Sequence, residues 1–224
     1  MGLFVTFEGI EGSGKTTQIR MAADYLRQRG IPCLETAEPG GTSLGRRLRE
    51  LLLNRGPDAI CPEAELLMFA AARAQHVREV ILPALAAGKV VLCDRFTDAT
   101  LVYQGYARGL DMEAVAFLNS FATRGRQPDL TILLDLPVEQ GLRRARERIA
   151  LLAEGAKEDR FETEELSFHR RVREGYLLLA HQEAQRFRVV DAAGSIADLR
   201  DAVLFHLETL LENVRRVEVG KTTS

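Results

Sequence analysis

Short, continuous apolar runs alternate along the chain with longer stretches of mixed polarity. The runs are "LFVTFE" (3–8), "PCLETAE" (32–38), "KVVLCD" (89–94), "DLTILLDL" (129–136) and "FRVVDA" (187–192). Runs of this kind, separated by helical patterns, predict buried strands of a parallel sheet covered on both faces. A helix is expected from Lys15 to about Arg29, and another over 62–87, where Pro83 should kink or break it. Gly30 and Gly88 stop the helices that precede the second and third strands. A last helix is expected from about Ala197 to Arg215, followed by a frayed tail over 216–224. Residues 152–165 are charged and lack apolar periodicity, which predicts a mobile surface segment, a lid over about 149–165. The whole reads as one doubly wound α/β domain over 1–215.

Composition narrows the picture only a little. The chain has 224 residues, enough for a substantial core, and a formal net charge of −2. No global basic field points to nucleic acid, so any anion site must be built locally. The three cysteines, Cys33, Cys61 and Cys93, are far apart and without CxxC spacing. They predict reduced, mostly packed thiols of a cytoplasmic protein rather than a disulfide or a zinc site. The opening "MGLFVT" has the spacing of a myristoylation signal, but residues 3–7 fit a buried strand better. No basic start with a long apolar run predicts secretion, and no run is long enough to span a bilayer.

The clearest chemistry lies in "FEGIEGSGKTTQ" (7–18). Gly9, Ile10, Glu11, Gly12, Ser13, Gly14, Lys15 and Thr16 satisfy GxxxxGK[ST], between an entering strand and a leaving helix. The glycines let successive backbone N–H groups curl around an anion, and the helix N-terminus adds partial positive charge. Lys15 is expected on the β/γ-phosphates, with Thr17 beside it and the Thr16 hydroxyl on Mg²⁺. A second "GKTT" at 220–223 has Arg215 where the first glycine should stand and no room for a following helix, so it carries no such expectation. Asp94, at the tip of the third strand, is expected to hold Mg²⁺ through water, and Arg95 to lie at the ligand edge of the sheet. The fold expected is therefore the three-layer P-loop NTPase fold, a five-stranded parallel sheet with helices on both faces.

A phosphate loop alone leaves GTPases, motor ATPases and small-molecule kinases open. Five stretches, in order, resemble the bacterial thymidylate kinase family: "FEGIEGSGKTTQ", "EPGGT" (38–42), "LLMFAAARAQH" (66–76), "CDRFTDATLVYQGYARG" (93–109) and "PDLTILLDL" (128–136). The resemblance implies transfer of the γ-phosphoryl of ATP to dTMP, with Mg²⁺, in a homodimer. It implies that Phe69 stacks on thymine and Arg73, four residues on, bonds the base edge. It implies further that Arg95 and Arg49 clamp the dTMP phosphate and that Thr100 and Gln104 line the thymine wall. Tyr103 would crowd the 2′ position, and Glu38 and Glu11 would lie near the sugar 3′-OH and the metal or phosphate region. The residue types suit these roles, since a flat aromatic face matches a base and a guanidinium matches a carbonyl or phosphate oxygen.

The phosphate loop has no arginine of its own, unlike that of some family members. A further cation for the transferring phosphoryl is expected from "GLRRARERIALLAEGAKEDRFE", first Arg148 and Arg160. Arg144 shares a helical face with Arg148, and Arg146 does not. The chain departs from the family at Ala37, where arginine often precedes "EPGGT". The four histidines, His76, His169, His181 and His206, read as structural or exposed. Two alternatives stay open. One is another deoxynucleotide or deoxynucleoside kinase, of which a nucleoside kinase would need a carboxylate base, for which Glu38 could serve; the other is a GTPase-like switch, which would show NKxD, and the chain has none.

Overall fold

A computed structural model describes residues 2–53, 59–151, 160–161 and 164–222, with side chains as far as Val214. Five strands form one sheet: β1 (Leu3–Glu8), β2 (Cys33–Ala37), β3 (Val90–Asp94), β4 (Leu130–Asp135) and β5 (Phe187–Asp191). All pair in parallel, in the order β2-β3-β1-β4-β5. Each strand lies within a residue of the apolar run that predicts it; the inner strands β1, β3 and β4 are buried on both faces, while the edge strands β2 and β5 are only partly covered. Along β1 the alternation of side chains sends Leu3, Val5 and Phe7 into one core cluster and Phe4 into another on the opposite face.

The helices are α1 (Lys15–Gln28), α2 (Ser43–Leu53), α3 (Pro62–His76), α4 (Thr97–Thr100), α5 (Met112–Thr123), α6 (Val138–Leu151), α7 (Leu166–Gln182) and α8 (Ile196–Thr222). Pro83 acts on the helix of α3 as anticipated, but upstream of itself. The helix widens to i→i+5 bonding over Val77–Ile81 before a last piece, Leu82–Ala86. Proline offers no N–H and its ring crowds the carbonyl four residues back, so the ladder re-registers there. A second wide stretch, Leu101–Ala107, continues α4. The C-terminal helix runs past Arg215 to Thr222, beyond its expected end. No proline interrupts that stretch, and each added residue gains a backbone bond. Most of the expected lid, 152–159 and 162–163, lies outside the described residues. Cys93 is buried and Cys33 half-buried, but Cys61, just before α3, is exposed rather than packed.

The sheet order fixes what can meet. β1 lies between β3 and β4, so the loop after β1 stands beside the residues after β3, with Phe7 level with Asp94 and Ala37 level with Asp94 on the other side. Glu8, Asp94, Arg95 and Glu38 therefore gather at one edge, where open α/β sheets bind ligands.

The start of α6 closes on the phosphate loop through two glycines. Gly12 has φ 72°, and a Cβ there would meet the Gly141 carbonyl oxygen at 2.1 Å. A Cβ on Gly141 would meet the Glu11 carbonyl oxygen at 2.5 Å. Backbone thus packs directly on backbone, and the α6 face that carries Gly141, Arg144, Ala145 and Arg148 turns toward the loop. Gly141→Ala is expected to push α6 off the loop, lowering stability by about 1–3 kcal/mol and weakening ATP binding. Thermal denaturation with and without ATP measures both effects, and an unchanged response to ATP would contradict this packing.

Candidate active site

The loop between β1 and α1 is stretched by glycines at positive φ: Gly9 at 136°, Gly12 at 72° and Gly14 at 95°. Lys15, at the first turn of α1, folds its ammonium back onto the loop. Its Nζ donates to the carbonyls of Gly9 at 3.0 Å and Ile10 at 2.9 Å. Burial, and then the charge of Arg95, push Lys15 down to about 8, against the pull of Asp94, Glu11 and Glu8. The Thr16 hydroxyl donates to Asp94 Oδ2 at 3.1 Å. A hydroxyl and a strand-tip carboxylate within hydrogen-bond reach, beside a phosphate cradle, fit Mg²⁺, which takes few protein ligands and completes its shell with water and phosphate.

Beside this loop two cations face two carboxylates. Arg95 has φ 67°, a left-handed backbone that arginine rarely adopts, so the chain turns sharply at the tip of β3. Its Nη2 donates to Glu11 Oε1 and its Nη1 to the Tyr176 hydroxyl, both at 3.0 Å. Tyr103 also donates to Glu11 Oε1, at 2.6 Å, and the Arg95 guanidinium lies over its ring. Burial opposes the charge on Glu11, yet His169, Arg95, Lys15 and Tyr103 together hold its carboxyl well below the usual range. Glu8 behaves in the opposite way. Burial, reinforced by Asp98, pushes it up to about 7, although Arg95, the Tyr176 hydroxyl at 2.7 Å and the Phe96 N–H at 2.8 Å favour its charge.

The opposite wall of the cleft comes from α3 and α4. Phe69 and Arg73 share a face of α3, and Thr100, Tyr103 and Gln104 share a face of α4 and its continuation. Arg73 is buried and donates to Glu38 Oε2 at 2.7 Å, Asn119 Oδ1 at 2.6 Å, and the Phe96 carbonyl and Thr100 hydroxyl at 2.9 Å. These use four of its five N–H groups, which leaves one on Nη1 for a ligand. The other oxygen of Glu38 faces His76 Nδ1 at 2.9 Å, and His76 Nε2 meets the Thr36 hydroxyl at 2.6 Å. Each oxygen of Glu38 thus meets one partner. Gln104 donates to Glu65 Oε1 at 2.8 Å, and Arg49 donates to the Pro39 carbonyl at 2.9 Å while lining the cleft.

The basic residues downstream divide. Arg144 and Arg148 line the cleft with Lys15, and Arg144 is steadied by the Ala192 carbonyl at 2.9 Å. Arg160, expected with them, is placed elsewhere. It donates to Glu65 and to the Leu52 carbonyl, and its backbone N–H bonds Leu53. A buried carboxylate at Glu65 attracts it more strongly than an open cleft can. Its neighbour Phe161 does reach the cleft and packs near Phe69 and Tyr103. Sequence reasoning missed Glu8, Glu65, Phe161 and Tyr176. Tyr176 shares an apolar helix face with Val172 and Leu179, so nothing in the letters separates it from core. Glu8 and Glu65 stand inside or beside quoted motifs, but a lone acid there carries no signal of burial.

These walls enclose one cleft of about 1160 Å³, from the phosphate loop at one end to Phe69 and Gln104 at the other. Fold and site together define a P-loop phosphoryl transferase that holds a nucleotide donor and a second, smaller acceptor. Known proteins agree. The family profile described as thymidylate kinase matches residues 7–203. A thymidylate kinase of Syntrophus aciditrophicus is 57% identical over 210 residues, 94% of this chain and 96% of that protein. One of Desulfosudis oleivorans is 55% identical over 206 residues, covering 92% and 96%. The crystal structure of thymidylate kinase from Ehrlichia chaffeensis superposes with a TM-score of 0.71 at 32% identity, covering 93% of this chain and 98% of that one. The chain belongs to the thymidylate kinase family, ATP-dependent nucleoside monophosphate kinases.

The position of Lys15 has a measurable consequence. With its free-protein value near 8, about half of Lys15 is neutral at pH 8. Bound phosphates favour the ammonium, so ATP binding at pH 8 should take up about half a proton. At pH 6.5, where Lys15 is already charged, this uptake should vanish. Calorimetric titrations in buffers of different ionisation enthalpy measure it, and Lys15→Arg should abolish it.

Proposed function

We propose that the chain transfers the γ-phosphoryl of ATP to dTMP, giving dTDP and ADP. The observation that carries this reading is the single cleft that joins a phosphate loop to the Phe69–Arg73 wall, with Arg95 between them. The backbone of residues 9–17 and Lys15 hold the donor phosphates. Arg95 and Arg49 hold the acceptor phosphate, Phe69 stacks on the base, and the remaining Nη1 hydrogen of Arg73 bonds its edge. Thr100 and Gln104 shape the same wall, and Tyr103 limits the sugar. Thr16 and Asp94 hold Mg²⁺, which neutralises charge on the donor phosphates when bound.

The acceptor is a phosphate already ionised at neutral pH, so no base is needed to deprotonate it. Catalysis is then positioning and charge stabilisation. Glu38 speaks against a nucleoside kinase. It is buried and held by Arg73 and His76 through its two oxygens, which suits it to orienting Arg73 rather than to taking a proton from a hydroxyl. The cation for the transferring phosphoryl is Arg148, with Arg144 beside it on the face turned to the loop. Arg160 anchors the chain after α6 to Glu65 instead.

A homodimer and a cytoplasmic site of action complete the proposal. Among the described residues no helix is long and apolar enough to cross a membrane. Phe117 and Phe121 on α5 are 69% and 75% exposed and stacked on each other, and Leu67 on α3 is 56% exposed. Such a patch on neighbouring helices suits a second copy of the chain.

Coupled measurement of ADP release should show strong dependence on dTMP. Turnover of thymidine but not dTMP, or no acceptor-dependent release, would overturn the reading. Arg148→Ala should lower kcat about 10²-fold or more with little change in dTMP KM. Arg160→Ala should have a much smaller effect on kcat.

A further inference from the structure

Behind the phosphate loop three buried polar atoms have no well-formed hydrogen bond among the described residues: Oε2 of Glu11 and both ring nitrogens of His169. They are neighbours. His169 Nδ1 lies 3.4 Å from Glu11 Oε2, close enough to favour the charge on Glu11 but too poorly aligned for a well-formed hydrogen bond. His169 is fully buried. Buried polar groups are nearly always satisfied, so a cluster of orphans marks a contact made in another state of the site.

The surroundings indicate which contact. Glu11 Oε1 already accepts from Arg95 and Tyr103, so Oε2 is the only oxygen of that carboxylate still available. His169 lies on α7 seven residues before Tyr176, and positions seven apart share a helix face. Tyr176 bonds Arg95 and Glu8. One face of α7 therefore meets the site twice, two turns apart, and only the His169 end is unpaired. The His169 ring packs edge-on against Phe168, which packs against Tyr103, so its position is tied to the same wall.

We propose that His169 is a positioning residue for the phosphate loop: its Nδ1–H donates to Glu11 Oε2 and holds that carboxylate in place. The contact matters most when phosphates are bound. They draw Arg95 and Lys15 toward themselves, and Glu11 then loses cation partners while remaining in a buried site. A donor from behind keeps Glu11 fixed, and Glu11 in turn keeps Arg95 and Tyr103 aligned. This inference rests on the proposed dTMP kinase reaction for its kinetic part.

The test compares His169→Phe, which keeps a ring but no donor, with His169→Gln, which keeps a donor. Against dTMP and ATP, His169→Gln should retain kcat within about threefold. His169→Phe should lose about tenfold or more in kcat, with each KM changed less than about twofold. On a Glu11→Gln background the His169→Phe change should cost no more than about twofold, because its partner is already lost. Equal losses in Phe and Gln variants, no loss in the Phe variant, or the same factor on both backgrounds would overturn the proposal. If His169→Phe does not fold, His169→Met carries the same comparison. Ring ¹⁵N resonances of His169, assigned by their absence in the Gln variant, supply a readout free of activity. They should show a protonated Nδ1 that shifts in Glu11→Gln; a ring indifferent to Glu11 would also refute the pairing. If the wild-type protein lacks dTMP-dependent turnover, the reaction is wrong and the resonance test still decides the pairing.

Discussion

Two cations, Lys15 and Arg95, are held at the edge of the sheet among groups that leave them little water. Isolated buried charges are expensive, and the structure answers with counter-charges and carbonyls. Lys15 turns back onto Gly9 and Ile10, while Arg95 is shared between Glu11 and Tyr176. Under the proposed reaction these partners are placeholders. An incoming phosphate offers a stronger acceptor, so binding exchanges internal bonds for bonds to the ligand rather than creating charge from nothing. The same balance explains the split between the two acids. Glu11 faces cations and stays ionised; Glu8, deeper and near Asp98, is pushed toward neutrality.

The second constraint is geometric. α6 can bring its arginines to the cleft only because Gly12 and Gly141 let two backbones touch. A side chain at either position would move the helix outward, away from the point where charge develops during transfer. The helix packed on the phosphate loop supplies Arg144 and Arg148 along the face that Gly141 brings close.

The strands were legible because each is a short apolar run between helical patterns, and the three inner ones are buried on both faces. The phosphate loop was legible because its glycines, lysine and threonine are a local pattern between a strand and a helix. The family was legible through five motifs in order. Arg160 was not. Its charged, aperiodic surroundings give no sign of a partner, and its contacts with Glu65, Leu52 and Leu53 come from residues about a hundred positions away. The extent of α8 was also hidden, since the helix expected to end near Arg215 continues to Thr222.

By itself the sequence determined the α/β class, the five strands, the phosphate cradle and the family, because these depend on local periodicity and contiguous motifs. Tertiary structure alone decided which polar groups face one another. The distance between Glu11 and His169, the double hold on Glu38, and the division of the arginines between cleft and anchor all arise from residues far apart in the chain. Such pairings are set by how helices land on the sheet, and no spacing of letters encodes the angle at which a side chain arrives.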